Sequence, residues 1–248
     1  MFEHGVHAYL RALTGIRGHR VGPFLAAFDD YDSGLFRNHA IPDDDAHPTG
    51  GEETDLIAAF TDRDRTPRLE YLPGLCPAVE PALVDAGFAV ERRLTVMTCA
   101  PSDAAAGPVA GDIETHLAST DDQLRQVAEA QNDAYGQPTT TDHDVARLRG
   151  TIDRGGLVAV AIDTTTGFGV GGGLCAPPYR GATELAAIGV RAAYRRRGIA
   201  AALTVLLTQA CPAVGITTPF LTPAGDAEEQ VYRSAGYRPV TGMLHISR

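Results

Sequence analysis

The residues with the clearest chemical potential form a short turn, residues 194–198, which reads Tyr-Arg-Arg-Arg-Gly. Residues 185–190 before it are apolar and short enough for a buried strand, and apolar residues at helical spacing over 199–207 predict a helix. The turn therefore offers a glycine, the N–H groups of a helix start and three guanidinium groups. This combination favours a polyanion such as a diphosphate. The alternative is an arginine cluster that only solvates a helix end.

The order of residues in this turn resembles a family motif. Residues 195–200 read Arg-Arg-Arg-Gly-Ile-Ala and fit Arg/Gln-x-x-Gly-x-Gly/Ala. With its preceding strand, the turn resembles the acetyl-CoA-binding motif of the GNAT acyltransferases, and the resemblance covers residues 112–248. It implies a diphosphate site at Arg195, Arg196, Arg197, Gly198, Ile199 and Ala200, and pairing of the pantetheine arm with Ile188, Gly189 and Val190. A β-carbon at Gly198 is expected to stand between the backbone and the phosphate.

Two side chains are candidates for proton transfer. An ammonium with a pKa of about 10 is almost fully protonated at neutral pH, so its deprotonation calls for a base. Glu184 at the start of the strand is similar to the family's general-base glutamate, and Tyr232, four residues before Gly236, matches its general-acid tyrosine. The simpler explanations are a solvated or ion-paired glutamate and a core tyrosine.

Other motifs are interpreted as structural. Residues 167–172 fit Gly-x-Gly-x-x-Gly, but Pro177 and Pro178 end the element where a dinucleotide site needs a helix, so close packing is favoured. The three aspartates at 43–45 are predicted to form a solvated loop rather than a metal site. Tyr194 is expected to pack before the turn, and His143 and His245 are not expected to be bases.

Composition excludes several classes of protein. The formal charge is −10 and the pI about 5.2, which argues against a general nucleic-acid binder. The sequence contains no lysine, which removes Walker A and Schiff-base mechanisms. Its four cysteines form no Cys-x-x-Cys pair, so a metal site is not expected. No apolar run approaches the length of a membrane span. We expect a cytoplasmic protein without membrane or nucleic-acid partners.

The order of predicted elements indicates a mixed α/β fold. From residue 113 onward we predict a strand, two helices, three strands, a long helix, a strand, a helix over 226–234 and closing strands over 237–240 and 243–246, which looks like the complete GNAT core. Before it we predict strands within 24–41 and a helix over 54–60. Residues 101–111 are rich in alanine, proline and glycine and are predicted to be a linker.

The two halves of the sequence resemble each other when Gly87 is placed opposite Gly236, an alignment called here the Gly87–Gly236 offset. The segment ending in Ala-Gly-Phe at Phe88 then parallels the one ending in Ala-Gly-Tyr at Tyr237. Duplication or chance could produce this match. At this offset Leu83 stands opposite Tyr232, and residues 46–51 oppose the arginine turn. We therefore expect a degenerate GNAT-like domain over residues 1–105 and a catalytic GNAT domain over 112–248.

The family resemblance thus implies an N-acetyltransferase that moves an acetyl group from its co-substrate acetyl-CoA to a primary amine by direct attack in a ternary complex. The acceptor is expected to be a small-molecule or peptide amine, no metal is expected, and a homodimer is left open. Two alternatives stay open: a regulatory protein that binds acyl-CoA without turnover, and a structural or interaction protein.

Overall fold

A computed structural model describes residues 2–15, 18–30, 34–137 and 139–248. These residues divide into two compact units. One contains Met1–Val96 with Val240–Arg248, and the other contains Met97–Pro239. The described residues hold eleven strands and seven α-helices in a mixed α/β arrangement, as the sequence predicted. The boundaries at 105 and 112 remain a domain hypothesis.

The first unit holds the elements before residue 97 and the end of the last strand. Its bounds are α1 Phe2–Gly15, β1 Gly18–Val21, β2 Phe24–Ala27, β3 His39–Pro42, α2 Gly50–Thr61, β4 Arg68–Tyr71, α3 Val79–Asp85, β5 Ala89–Thr98 and, at the end of the chain, β11 Arg238–Ser247. The strand order in this unit is β1-β2-β3-β4-β11-β5. Its core includes Phe24, Phe60, Leu83 and Ile246.

The second unit holds the elements between them. Its bounds are β6 Ile113–Leu117, α4 Asp121–Tyr135, α5 Asp142–Asp153, β7 Leu157–Asp163, β8 Gly169–Cys175, β9 Ala182–Val190, α6 Ile199–Ala210, β10 Thr218–Leu221 and α7 Asp226–Ser234. The strand order, from the end of β5, is β5-β10-β9-β8-β7-β6. The helices α4 and α6 pack against β8 and β9.

The sheet of each unit includes a strand from the other half of the sequence. In the first unit, β11 pairs antiparallel with β4, with Leu244 opposite Tyr71. In the second unit, the end of β5 pairs antiparallel with β10, with Thr98 opposite Phe220. The predicted order of strands along the chain contains no signal for this exchange.

Three predictions about elements are corrected. The closing strands 237–240 and 243–246 are one strand, β11, because Gly242 does not take the positive φ of a tight turn. The helix predicted over 54–60 begins earlier, at Gly50, because Thr49 and Glu52 form a capping box. Within 24–41, the described residues between β2 and β3, which are 28–30 and 34–38, hold a 3₁₀ turn at Leu35–Arg37 instead of the predicted strand.

Several elements repeat at the Gly87–Gly236 offset. The two ends of α2, Gly50 and Thr61, fall opposite the two ends of α6, Ile199 and Ala210. Both ends of β5 likewise fall opposite the two ends of β11, and the last residue of α3 falls opposite the last residue of α7. The shared spacing extends the internal similarity from residue types to element bounds.

Four glycines of β8 allow helices to approach both faces of the sheet. A β-carbon at Gly172 would lie 2.7 Å from a Val127 side-chain carbon of α4, and one at Gly171 would lie 3.2 Å from an Ile199 side-chain carbon of α6. Gly169 and Gly173 have similarly close neighbours. The glycine run therefore serves close packing, as expected, and no helix follows it directly.

Candidate functional site

The site begins where β9 and β10 stop pairing. The two strands are parallel neighbours over Ala182–Glu184, and their last paired residues are Glu184 and Phe220. Further along β9, Ala187 has a φ of 53° and the register with β8 shifts, which marks a β-bulge. Residues 188–190 follow the bulge, beyond the last residue that pairs with β10.

The hydrogen bonds to β8 fix the direction of the backbone at the end of β9. Arg191 donates its N–H to the Val170 carbonyl at 2.9 Å. Because hydrogen-bonded and non-hydrogen-bonded pairs alternate in an antiparallel ladder, the N–H and C=O of Val190 lie on the edge away from β8. The end of β9 thus presents backbone groups on the side where β10 has stopped pairing.

The start of α6 lacks a capping side chain. Gly198 occupies the N-cap position with a φ of 84°, and none of the described side chains accepts a hydrogen bond from the first turn. The first bond inside the helix runs from the Ala202 N–H to the Gly198 carbonyl at 3.0 Å. The N–H groups of Ile199, Ala200 and Ala201 are therefore not used by the helix itself and can bind an anion.

The three arginines of the turn differ in their availability. Arg195 donates from Nε to the Val190 carbonyl and from Nη2 to the Ala134 carbonyl, both at 3.1 Å. The Arg197 guanidinium lies over the Tyr194 ring, 4.8 Å from its centroid. Arg196 is exposed and makes no hydrogen bond or ion pair with any described residue. Of the three guanidinium groups expected to face an anion, Arg196 alone is uncommitted among the described residues.

Tyr194 packs beside the turn, as expected. Its hydroxyl donates to Oδ2 of Asp163 at 2.9 Å, and its ring supports the guanidinium of Arg197. This hydrogen bond is the leading cause of a raised Tyr194 pKa and of a lowered Asp163 pKa.

The predicted linker packs against this turn. The N–H of Ala110 donates to the Arg197 carbonyl at 2.9 Å, and the Ala104 carbonyl accepts from Gln209 of α6. A β-carbon at Gly198 would lie 3.1 Å from the Pro108 carbonyl oxygen. The positive φ and this contact with the chain each favour glycine at residue 198, and the clash with a phosphate stays a prediction.

Glu184 and Tyr232 lie within electrostatic range of each other. Glu184 is half-buried at the last β9–β10 pair, and Tyr232 is half-buried on α7. Burial raises the pKa of Tyr232, and the charges of Glu228, Tyr135 and Glu184 raise it further. A tyrosine with an ordinary pKa of about 10 is already protonated at neutral pH, as a proton donor must be, and the raised pKa leaves it so.

Sequence reasoning missed the contribution of α4. The Gln131 amide donates to the Ala187 carbonyl at 2.8 Å, and the Tyr135 hydroxyl donates to the Ile188 carbonyl at 3.1 Å. A β-carbon at Gly189 would lie 3.1 Å from the Ala134 β-carbon, so this glycine admits the helix. The available signal was Gly136, whose left-handed conformation ends α4 directly after Tyr135.

Comparison with protein families relates the second half of the chain to a known family. Residues 124–237 match the model of the acetyltransferase (GNAT) family. Residues 124–237 form a GNAT domain. This confirms the family resemblance for these residues, while the roles of the individual site residues and the degenerate first copy stay predictions. No curated protein sequence matches the chain.

Solved GNAT structures share the fold of nearly the whole chain. A GCN5-related N-acetyltransferase from Kribbella flavida has a TM-score of 0.80 at 20% identity, covering 98% of this chain and 93% of that one. A GCN5-related N-acetyltransferase from Sphaerobacter thermophilus has a TM-score of 0.69 at 18% identity, covering 91% and 76%. A tandem GNAT protein from the clavulanic acid biosynthesis pathway has a TM-score of 0.63 at 13% identity, covering 91% and 78%. At these identities the similarity concerns the fold.

No group of three or more His, Cys, Asp or Glu side chains among the described residues is arranged to hold a metal ion. None of the helices in the described ranges combines the length and the apolar character needed to cross a membrane.

Proposed function

We propose that the GNAT domain transfers an acetyl group from acetyl-CoA to a primary amine. The main support is the start of α6, whose first-turn N–H groups have no capping side chain and which is preceded by Gly198 and the exposed Arg196. A diphosphate carries the charge and the acceptor oxygens that such a helix end lacks. Bound acetyl-CoA would supply the acyl thioester.

The end of β9 would bind the pantetheine arm. Val190 presents its N–H and C=O away from β8, with Arg195 already donating to the carbonyl, and Ile188 and Gly189 follow the bulge at Ala187. An extended amide-containing chain can pair with such an edge as an added strand does. In this proposal the diphosphate lies at residues 195–200 and the arm along residues 188–190.

Two side chains would move protons. Glu184 would accept a proton from the acceptor ammonium, so that a neutral amine attacks the thioester carbon directly in a ternary complex. Tyr232 would donate its phenolic proton to the departing thiolate, and its raised pKa keeps that proton in place at neutral pH. Substrates of both kinds must then be bound at the same time, without an acyl-enzyme.

We propose further that residues 1–105 are a degenerate GNAT-like copy and that residues 112–248 are catalytic. The support is the Gly87–Gly236 offset, which relates α2 to α6 and β5 to β11 at both of their ends. In the first copy Leu83 takes the place of Tyr232, and residues 46–48, which read Ala-His-Pro, take the place of the three arginines. This copy would not carry out acyl transfer.

A thiol-release screen with purified protein, acetyl-CoA and a library of small amines and peptide amines tests the activity. We expect amine-dependent release of CoA and one acetylated amine product, identified by mass spectrometry. Binding of acetyl-CoA without release for any amine would favour a regulatory protein. Absence of CoA binding in calorimetry would remove the proposal.

A further inference from the structure

The Ile188 carbonyl is already engaged by a side chain of the protein. The Tyr135 hydroxyl donates to it at 3.1 Å, and the Tyr135 ring lies against Gly189, where a β-carbon would come within 3.3 Å of Cε2. Both residues belong to the stretch proposed to bind the pantetheine arm. The phenol and an amide N–H of that arm are thus directed at the same backbone segment.

Two contacts from α4 to β9 differ in how easily they can be exchanged. Gln131 is 4% exposed, and its bond to the Ala187 carbonyl is enclosed by the packing of α4 on the sheet. Tyr135 is 52% exposed and is the last residue of the helix before Gly136. An exposed side chain at a helix end can rotate into solvent without breaking core packing, whereas a buried amide cannot.

Replacement of the Tyr135 hydroxyl at the Ile188 carbonyl requires a ligand that carries a hydrogen-bond donor. A buried or half-buried carbonyl that loses a donor must gain another, or the complex is weakened. A ligand that removes Tyr135 from Ile188 must therefore offer its own N–H at that position. Pantetheine carries two secondary amides, each with one N–H, whereas the thioester of a simple alkyl thiol carries none.

We propose that Tyr135 is a specificity-determining residue, whose hydroxyl occupies the Ile188 carbonyl in the free protein and is replaced by an amide N–H of a pantetheine-containing ligand. This inference rests on the proposed function of the same site. It names the ligand class as acyl thioesters with a pantetheine arm and disfavours thioesters of simple thiols.

Calorimetry with two ligands tests this role in the full-length protein. Coenzyme A carries the arm, whereas 3′-phosphoadenosine 5′-diphosphate carries the same diphosphate without it. Since Tyr135→Phe removes the competing donor, we expect it to bind coenzyme A roughly 2- to 10-fold more tightly, as loss of one hydrogen bond implies. Binding of the nucleotide should not change. Tyr179→Phe, which removes a hydroxyl from another partly exposed tyrosine, should change neither.

The outcomes separate this inference from the proposed function. If coenzyme A binds Tyr135→Phe no more tightly than the unaltered protein, with equal melting temperatures, the role of Tyr135 is wrong and the proposed function stands. If neither ligand binds the unaltered protein, the proposed function is wrong and Tyr135 has no such role. A crystal structure with coenzyme A gives a direct check, because a Tyr135 hydroxyl still bonded to Ile188 would overturn the exchange.

Discussion

The starts of α2 and α6, which correspond at the Gly87–Gly236 offset, satisfy their N–H groups in different ways. The Thr49 side chain accepts from the Glu52 N–H, and the Glu52 carboxylate accepts from the Thr49 N–H at 2.8 Å. Gly198 provides no side chain for α6. Both ends need acceptors, and α2 supplies them from its own residues, whereas none of the described side chains caps α6, where we propose that an external anion binds.

The charged side chains that precede α2 and α6 also differ in whether they are paired. Asp43 is paired with Arg11 and Arg20, and Asp44 is paired with the buried His7. In the first unit Arg11 also donates to the carbonyls of Ile41 and Pro42 at the end of β3. Asp43 and Asp44 before α2 are therefore paired within their own unit, whereas the turn before α6 retains Arg196, which pairs with none of the described residues.

The largest effect is expected for Gly198→Ala. The substitution places a β-carbon at a positive φ and 3.1 Å from the Pro108 carbonyl, which should displace the turn. We expect acetyl-CoA affinity to fall by about 100-fold or more, since the diphosphate depends on the position of several N–H groups. Calorimetric titration measures it.

Gly215→Ala is the matched control for this substitution. Gly215 has a φ of 76°, close to that of Gly198, but a β-carbon there would meet nothing within 4 Å. Both variants should lose a similar amount of stability from the strained φ, and only Gly198→Ala should lose affinity. Equal affinities in the two variants would contradict the proposed diphosphate site.

The next effect concerns Tyr232, which stands opposite Leu83 of the first unit at the Gly87–Gly236 offset. Tyr232→Phe should lower kcat by roughly 10-fold or more at neutral pH, because the thiolate loses its proton donor, with little change in KM for acetyl-CoA. Steady-state thiol release measures both constants, and Tyr179→Phe serves as the control. Unchanged turnover would show that Tyr232 is not the proton donor. The replacement of Tyr232 by Leu83 would then not distinguish the two units in function.

A smaller effect is expected at the closed helix start. Thr49→Ala removes the N-cap of α2 and should lower the free energy of unfolding by about 1 kcal/mol. Acetyl-CoA affinity should stay within about twofold. Thr54→Ala, which removes an exposed hydroxyl bonded to the Gly50 carbonyl of the same helix, is the control in urea denaturation. A loss of affinity in Thr49→Ala would mean that α2 takes part in binding acetyl-CoA.

The smallest effect is a difference in acid sensitivity. Burial lowers the pKa of His7 against the opposing effect of Asp44, and burial likewise lowers the pKa of His245 against Glu70. Both lie in the first unit. Because the pKa of each histidine is lower in the folded state than in the unfolded state, the unfolded chain binds protons at a higher pH than the folded protein does. The free energy of unfolding is therefore largest above pH 6.5, the ordinary histidine pKa, and decreases as the pH falls below it.

Amide hydrogen exchange at pH 7.5 and 5.5, corrected for intrinsic rates, measures this difference. We expect exchange in α1 and β11 to accelerate a few-fold more than exchange in α6 and β8. His143→Gln, on α5, should leave the difference unchanged, whereas His7→Gln should reduce it. Equal acceleration in both units would show that the buried histidines are not what distinguishes them.

Local patterns predicted much of the fold. The bounds of β6 and α7 agree with the predictions at Ile113–Leu117 and Asp226–Ser234, because period-2 and period-3.6 patterns are strong there. The start of α2 was missed because two glycines at residues 50 and 51 have low helix propensity, and the capping box outweighs them. The exchange of β5 and β11 could not be predicted, since pairing partners far apart in sequence leave no local signal.

The candidate site was predictable in part. The turn at residues 195–200 follows from residue types at fixed spacing, which the sequence displays directly. The contacts that Tyr135 and Arg195 make could be found only in the structure, because they depend on how closely α4 approaches β9. That distance is set by the absence of a side chain at Gly189, and a glycine in a predicted strand does not by itself reveal which neighbour it admits.

The strand exchange has a consequence for how the molecule is made. In the first unit β4 pairs with β11. Because β11 follows every other element of that unit in the sequence, it is synthesised last. The sheet of the unit therefore stays incomplete until β11 has been translated, even though most of its residues are made first. A gene truncated between the two halves of the sequence would yield an amino-terminal fragment that lacks β11, the strand with which β4 pairs. Adding β11 back as a separate peptide should restore the sheet of the first unit.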